Sequence, residues 1–478
     1  MNMIKVCYVS HAHENSIMAP VAKLLGEKGL ELSFVCKDQQ NTDFYTKEGF
    51  ESLNICDEIF DNKKIVTEKE KEELDLKYGP PGIREICDSD VHLASLFGSD
   101  HGDKENVVYK AIKFWEKYFD KKKIDYLVSI ETASVPPRSA YLVAKKRGIP
   151  IMFIASGPDN QRFCMNDIGE TYAWKELVSS LDDKNKFISD EDKKEALDFI
   201  GKRIQRTNKM PIFFAPESLF KSIKNLIGLW VRDNKKNRQK DPIAVASMNF
   251  GRGQLWKRMK WFYFTRYFFR YDEFKKDEKY VYFPFFSAKE TYYLSNDMYY
   301  GENEISLLKE TARCLPSGYF LYTKEHPFNP GDFTFSELKK LKESSNIKVF
   351  HPSISSQELL DNSAAVVTVE GTVGWESLLC KKPLVCIGGM PYYAYSTLVY
   401  KVSNICNLSS VLYEAIKNGP KIYNNKEEEW YWFINKVVST CNFGAIYEPG
   451  SPIIMKNDEN IRNIANSLAD KIKKDLRE

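Results

Sequence analysis

Two short stretches hold the residue types needed to bind and activate an anionic ligand. The first is Tyr322-Thr-Lys-Glu-His-Pro327, a run of β-formers ending in a cation, a carboxylate, an imidazole and a proline. The second is Thr368-Val-Glu-Gly-Thr-Val-Gly-Trp-Glu376, continued by Ser-Leu-Leu-Cys-Lys-Lys-Pro383. Each reads as a strand followed at once by a turn. In a parallel sheet that places the polar groups at the carboxyl edge, where backbone amides and helix N-termini bind nucleotide diphosphates.

The individual positions sharpen this. Pro327 biases His326 toward an extended backbone, so the imidazole projects from the strand end and can donate to a phosphate oxygen, with Lys324 and Glu325 beside it. A purely structural histidine is the plainer alternative. In the second stretch Gly371 suits a positive φ, and Thr372 reads as a helix N-cap. Gly374 leaves the first helical turn bare, so phosphates can approach its amides. Val366 to Val369 is a run of β-formers and Glu370 opens the turn into the helix; Glu376, one turn into that helix, can accept from ribose hydroxyls. A well-capped crossover helix would need nothing more than packing to explain it. There is no G-x-x-x-x-G-K-[ST] loop.

Groups suited to proton transfer lie elsewhere. His11, His13 and Glu14 follow the opening strand, and Glu131 follows the strand ending at Ile130. His13 and Glu131 are the candidates for a general base on an acceptor hydroxyl. Glu290, beside Lys289 downstream of another strand, is a third catalytic candidate, with solvated surface charge as the competing reading. Two histidines two residues apart lack a third ligand, so neither a metal nor a cofactor is assigned.

The elements that must position these groups are legible from periodicity. At 478 residues, 43% hydrophobic and 28% charged, the chain should divide into more than one domain, each with its own core. A net charge of +3 is too small to imply nucleic acid. Ten scattered cysteines without a C-x-x-C pair suggest reduced thiols in a cytoplasmic protein. Neither an apolar leader nor a run of ~20 apolar residues is present. Strands are expected at Ile4 to Ser10, Glu31 to Lys37, Asp125 to Ile130 and Pro150 to Ala155. The alternation with helices restarts at Tyr280, with strands at Tyr319 to Thr323, Ile347 to Phe350, Ala365 to Val369 and Pro383 to Ile387. This predicts an α/β protein of two Rossmann-like domains facing across a cleft, at 1–181 and 279–454. Residues 182–278 read as a helical basic and aromatic insertion. The last helix, in 455–478, has the option of returning to the first domain.

Within the insertion, Arg252 to Lys276 holds ten aromatics and eight Lys/Arg against Asp272 and Glu273. Trp261, Phe264, Phe268 and Tyr271 share one helical face. The plainer reading is a helix buried between domains; the sharper one is contact with an anionic membrane surface. Nothing nearby resembles a nucleic-acid module.

On these residues the second half resembles bacterial capsule and surface-polysaccharide glycosyltransferases of the GT-B fold, relatives of the capsule Kdo transferases. The resemblance rests on Tyr282-Phe-Pro284 with the downstream Glu290, on Lys324-Glu-His-Pro327, and on the block from Glu370 to Pro383. Ser10-His-Ala-His13, Gly157-Pro-Asp-Asn160 and Asp167-Ile-Gly169 look like fainter echoes. It implies that His326, Gly371, Thr372 and Glu376 bind a CMP- or UDP-linked sugar donor, and that the acceptor is a glycan or glycolipid. The reaction would need no metal and would run at the inner face of the membrane. Ala288-Lys289-Glu290 stands where such proteins often show Gln-Pro-Glu, a departure that leaves room for a donor other than CMP-Kdo. Three alternatives share the pattern: a non-hydrolysing UDP-sugar 2-epimerase, a teichoic-acid-type polyol-phosphate transferase, and a non-catalytic capsule assembly subunit.

Overall fold

Short runs of Val, Ile, Leu, Tyr and Phe, buried on both faces, build two separate sheets, as parallel strands covered by helices should. In a computed structural model, the described residues are 3–10, 14–61, 65–79, 101–130, 134–159, 161–167, 173–182, 186–207, 304–326, 333–388, 391–446 and 457–477, with most of 253–285 and a few isolated positions. They form two units. One combines Met1–Glu170 with Cys441–Glu478, and the other combines the described parts of Thr171–Asn225 with Gly253–Thr440.

The first unit contains β1 (Ile4–Ser10), β2 (Leu30–Cys36), β3 (Glu51–Asn54), β4 (Tyr126–Ser129), β5 (Ile151–Ser156) and β6 (Arg162–Asn166). Near the C-terminus β13 (Asn442–Phe443) completes a seven-stranded sheet of order β13-β6-β5-β4-β1-β2-β3. β1 pairs in parallel with both β2 and β4, Val6 lying opposite Leu32 and Tyr126. β6 and β13 are antiparallel additions. One face of the sheet is covered by the helices His101–Lys122 and Val135–Arg147. Trp115 is buried there, its indole donating to the Pro136 carbonyl at 2.9 Å. The other face carries the helix Asn15–Glu27 and the final helix Asp458–Asp475. The apolar stripe of that last helix, Ile461, Ile464, Leu468 and Ile472, enters the same core as Ile17 and Val21.

The second unit contains β7 (Tyr280–Tyr282), β8 (Phe320–Lys324), β9 (Ile347–Phe350), β10 (Ala365–Thr368), β11 (Leu384–Ile387) and β12 (Val399–Val402). Their order is β12-β11-β10-β7-β8-β9, all parallel. Counted from the first strand of the unit, this is 3-2-1-4-5-6, the Rossmann order, and the chain reverses direction across the sheet between β7 and β10. The first six strands of the first unit repeat that order, with β6 inverted. The fold class is therefore α/β with two Rossmann-like units. The sharp ends of its helices follow local rules. Thr334 and Glu337 form a capping box at Phe335–Lys342. Ser355 caps Ser356–Asp361 by accepting from the Glu358 amide.

Some elements depart from the sequence expectation. The stripe Trp261-Phe264-Phe268-Tyr271 does not stay on one helix. Helical backbone covers 259–265 and is lost by Phe268. Asp272 then pairs with the outer strand β9, its amide donating to the Val349 carbonyl and its carboxylate accepting from the Val349 amide. A carboxylate satisfied by an edge strand has replaced the next helical turn.

Candidate functional site

The site is assembled at the carboxyl ends of β8, β9 and β10. β8 ends on Lys324, which is only 2% exposed. Its ammonium donates to the carbonyls of Ile354 (2.5 Å) and Pro352 (3.4 Å) in the loop after β9. A cation kept from water loses stability relative to its neutral form. Burial accordingly pushes the Lys324 pKa down to about 8, partly opposed by the Glu376 carboxylate.

Glu325 follows and is buried. It accepts from the Trp261 indole at 2.7 Å and from the amides of Gly331 (3.1 Å) and Phe333 (3.4 Å). This carboxylate therefore shapes the loop after β8. His326 keeps surface open to solvent. Protein packed around its ring, with the Lys324 charge adding, still holds its pKa below the ordinary value. At neutral pH the imidazole is uncharged, and it offers an N–H donor rather than a cation.

At the end of β9, His351 occupies the same kind of position. The Ser353 amide donates to His351 Nδ1 at 3.1 Å, which leaves the neutral ring's proton on Nε2. The ring lies between Trp261 and Tyr271, with centroids at 5.5 and 5.0 Å. Burial first, and Lys324 second, lower its pKa. The sequence reading missed His351 although its signal was present: β9 runs into His351-Pro352 as β8 runs into His326-Pro327.

β10 ends at Thr368, whose hydroxyl donates to the Glu370 carbonyl at 2.6 Å and tightens the turn. Glu370 itself is buried. Gly371 adopts φ +113, as its type suggested, and is the N-cap of the helix Thr372–Leu379. Among the described residues no side chain caps this end. The first amides of the helix therefore point outward with its positive dipole, which suits an anion.

Two expectations need correction. Thr372 is not the N-cap but the first helical residue, because the positive φ at Gly371 has already turned the chain. Gly374 does not keep the helix bare for a ligand either. A Cβ there would lie 2.4 Å from two carbons of the buried Tyr393 ring, so the ring occupies that face. Gly374 is glycine for packing.

Glu376 is mostly enclosed, and burial raises its pKa against the pull of Arg203 and Lys324. Arg203, from the helix Asp190–Thr207, approaches its carboxylate to 3.9 Å. The sequence offered no signal for Arg203, since only folding brings that helix beside Thr372–Leu379. Phe199, one turn earlier, meets Trp375 at 6.2 Å and helps to place it. Lys324 and Arg203 supply positive charge at this edge and His326 and His351 supply N–H donors, beside the carboxyl groups of Glu325, Glu370 and Glu376; cations and donors of this kind can meet the oxygens of a phosphate-bearing ligand.

The catalytic candidates His13, Glu131 and Glu290, and Pro327 of the first motif, lie outside the described residues. Glu14, next to His13, is buried in the first unit and accepts from Ser10 Oγ at 3.3 Å. No group of three potential metal ligands occurs among the described residues. None of the described helices is long and apolar enough to cross a membrane.

The model of the capsule polysaccharide biosynthesis protein family matches residues 301–407, which span β8 to β12 and both motifs. Comparison with curated proteins finds no match. Among solved structures, a glycosyltransferase from Rickettsia africae ESF-5 is 10% identical, covering 99% of this chain and 100% of that one, with a TM-score of 0.31. The UDP-GlcNAc 2-epimerase of Neisseria meningitidis, bound to UDP-GlcNAc, is 12% identical over 98% and 100% of the two chains, with a TM-score of 0.29. The β Kdo 2,7 transferase KpsC of Thermosulfurimonas dismutans is 12% identical over 64% and 79%, with a TM-score of 0.30. Likenesses of this size lend nothing to the chemistry of the present chain.

Proposed function

We propose that the protein is a glycosyltransferase of capsule or surface-polysaccharide synthesis that moves a sugar from a nucleotide donor to a glycan or glycolipid. One observation carries this reading. Lys324, His326 and His351 gather at adjoining strand ends, beside the uncapped N-terminus of Thr372–Leu379, inside the region matched by the capsule family model.

Departure of the nucleotide leaves negative charge on its terminal phosphate. The neutral His326 N–H, the Lys324 ammonium and the amides after Gly371 supply preorganised stabilisation for that charge without a metal. In this reading Glu370 and Glu376 are donor-side residues, with Glu376 accepting from the ribose. Pro327 sets the loop, and Glu131 or His13 deprotonates the acceptor with Glu290 as the third choice. The donor would be CMP- or UDP-linked, and the enzyme would work at the cytoplasmic face of a membrane.

The test is two-stage. Thermal shift with UDP, CMP and GDP sugars identifies the nucleotide, saturation at 100 times the dissociation constant being worth about 2.7 kcal/mol. Transfer to acceptor is then compared in wild type and His326→Ala, where loss of one charge-stabilising donor should cost roughly 100-fold or more. Unchanged transfer would refute the assignment. Interconversion of the donor without acceptor would identify an epimerase instead.

A further inference from the structure

The basic and aromatic segment has two faces with different partners. Its inner face is fixed to the site. Trp261 is buried and donates to Glu325, the residue before His326. Phe264 stacks on Phe335 with centroids 5.7 Å apart. A Cβ on Gly331 would stand 2.9 Å from Trp261 Cβ and 3.0 Å from the Lys257 carbonyl, so the helix and the loop after β8 meet backbone to side chain.

Because that face is committed, the helix cannot roll to bury the other. Trp256, Met259, Phe262, Tyr263, Tyr267 and Phe268 are between 46% and 68% exposed. Elsewhere on the described surface large apolar side chains are exposed mostly one at a time, as is ordinary. A cluster of this kind marks an interaction site. Its charge identifies the partner. Lys257, Lys260 and Arg270 are exposed around it, and Lys260 lies 5.2 Å over the Trp256 ring. The sequence from Pro242 to Tyr271 contains no Asp or Glu. Exposed rings that can seat at the headgroup level, with Lys257, Lys260 and Arg270 exposed on the same segment, complement an anionic lipid surface.

We propose that the outer face of residues 256–268 docks this protein on an anionic bilayer. The inference deepens the reading as a transferase of membrane-linked glycans. It adds that the lipid-facing helix and the donor-binding strand end are joined through Trp261 and Glu325.

Sedimentation of the full chain with phosphatidylcholine vesicles, with and without phosphatidylglycerol, tests it. Binding is expected only with phosphatidylglycerol. It should weaken roughly 30-fold in the double variant Lys257→Ala/Lys260→Ala. Phe262→Ser/Tyr267→Ser should abolish it, with melting temperature and nucleotide stabilisation unchanged, since both side chains are exposed. Wild-type protein that stays in solution, or variants that bind like wild type, overturns the proposal. So does concentration-dependent self-association that the same variants remove, because a second copy would then cover the face. Vesicle binding without stabilisation by any nucleotide sugar would sink the proposed function and leave this inference standing.

Discussion

Replacing Gly374 with alanine separates packing from ligand access in the second motif. In an unobstructed helix the change would stabilise by about 1 kcal/mol, because glycine loses more backbone freedom. Here the new methyl would meet the Tyr393 ring at 2.4 Å from Cε2 and Cζ and 2.6 Å from Oη. Ordinary carbon contacts lie near ~3.5–4 Å, so the ring must move by about 1 Å. Tyr393 is 2% exposed and has little room to do so. Overpacking of this kind costs about 1–3 kcal/mol, so against the helix gain of about 1 kcal/mol the clash leaves a net loss of up to about 2 kcal/mol. For a unit of this size that is a fall of up to about 8 °C in melting temperature. Scanning calorimetry on wild type, Gly374→Ala, and Gly374→Ala combined with Tyr393→Leu or Tyr393→Phe gives the full pattern. Leucine should restore much of the loss, since the two offending ring carbons are gone. Phenylalanine should not, since it removes only the hydroxyl. A melting temperature equal to or above wild type in Gly374→Ala, with nucleotide stabilisation lost, would show that the open face serves a phosphate and that the packing argument is wrong.

Three further outcomes rest on the same structure. Lys324 titrates near pH 8 in the folded protein and near 10.5 when unfolded, so the unfolded chain holds the extra proton between those values. Stability should therefore rise with pH through that window, and Lys324→Met should flatten the rise in denaturant titrations. Stabilisation by nucleotide should weaken above about pH 8 as the ammonium is lost; a pH-independent response would exclude Lys324 from phosphate binding. In the first unit, Ile464→Ala truncates a fully buried side chain of the final helix and should cost about 2–5 kcal/mol. A loss below ~1 kcal/mol would mean that this helix contributes little to the core.

The parts of the site carried by local sequence were legible, and the parts made by long-range contact were not. His326 and Gly371 could be named because a strand end, a proline and a positive-φ glycine are short-range signals. His351 carries the same strand-then-His-Pro signal, since β9 runs into His351-Pro352 as β8 runs into His326-Pro327. Arg203 had no signal at all. Its closeness to Glu376 depends on how the helix Asp190–Thr207 packs, and no local pattern encodes that. Gly374 shows the opposite error, a glycine assigned to a ligand because its true neighbour, Tyr393, lies beyond the next strand. The short strands β3, β6, β12 and β13 carry weak local signals. Polar residues in Glu51–Asn54 and the edge positions of β12 and β13 blur the apolar pattern that reveals central strands.

By itself the sequence determined that the chain alternates strands and helices in two series, because buried parallel strands demand continuous apolar runs and each crossover needs an amphipathic helix. It also determined that the two polar turns lie at a carboxyl edge, since each directly follows such a run. Only the tertiary structure decided that the final helix joins the core of the first unit, a choice its amphipathic stripe leaves open until a partner face exists. The same holds for the split of the aromatic segment into a face bound to Glu325 and a face left in solvent. An indole and a carboxylate far apart in sequence can fix such a division only after the sheet has brought them together.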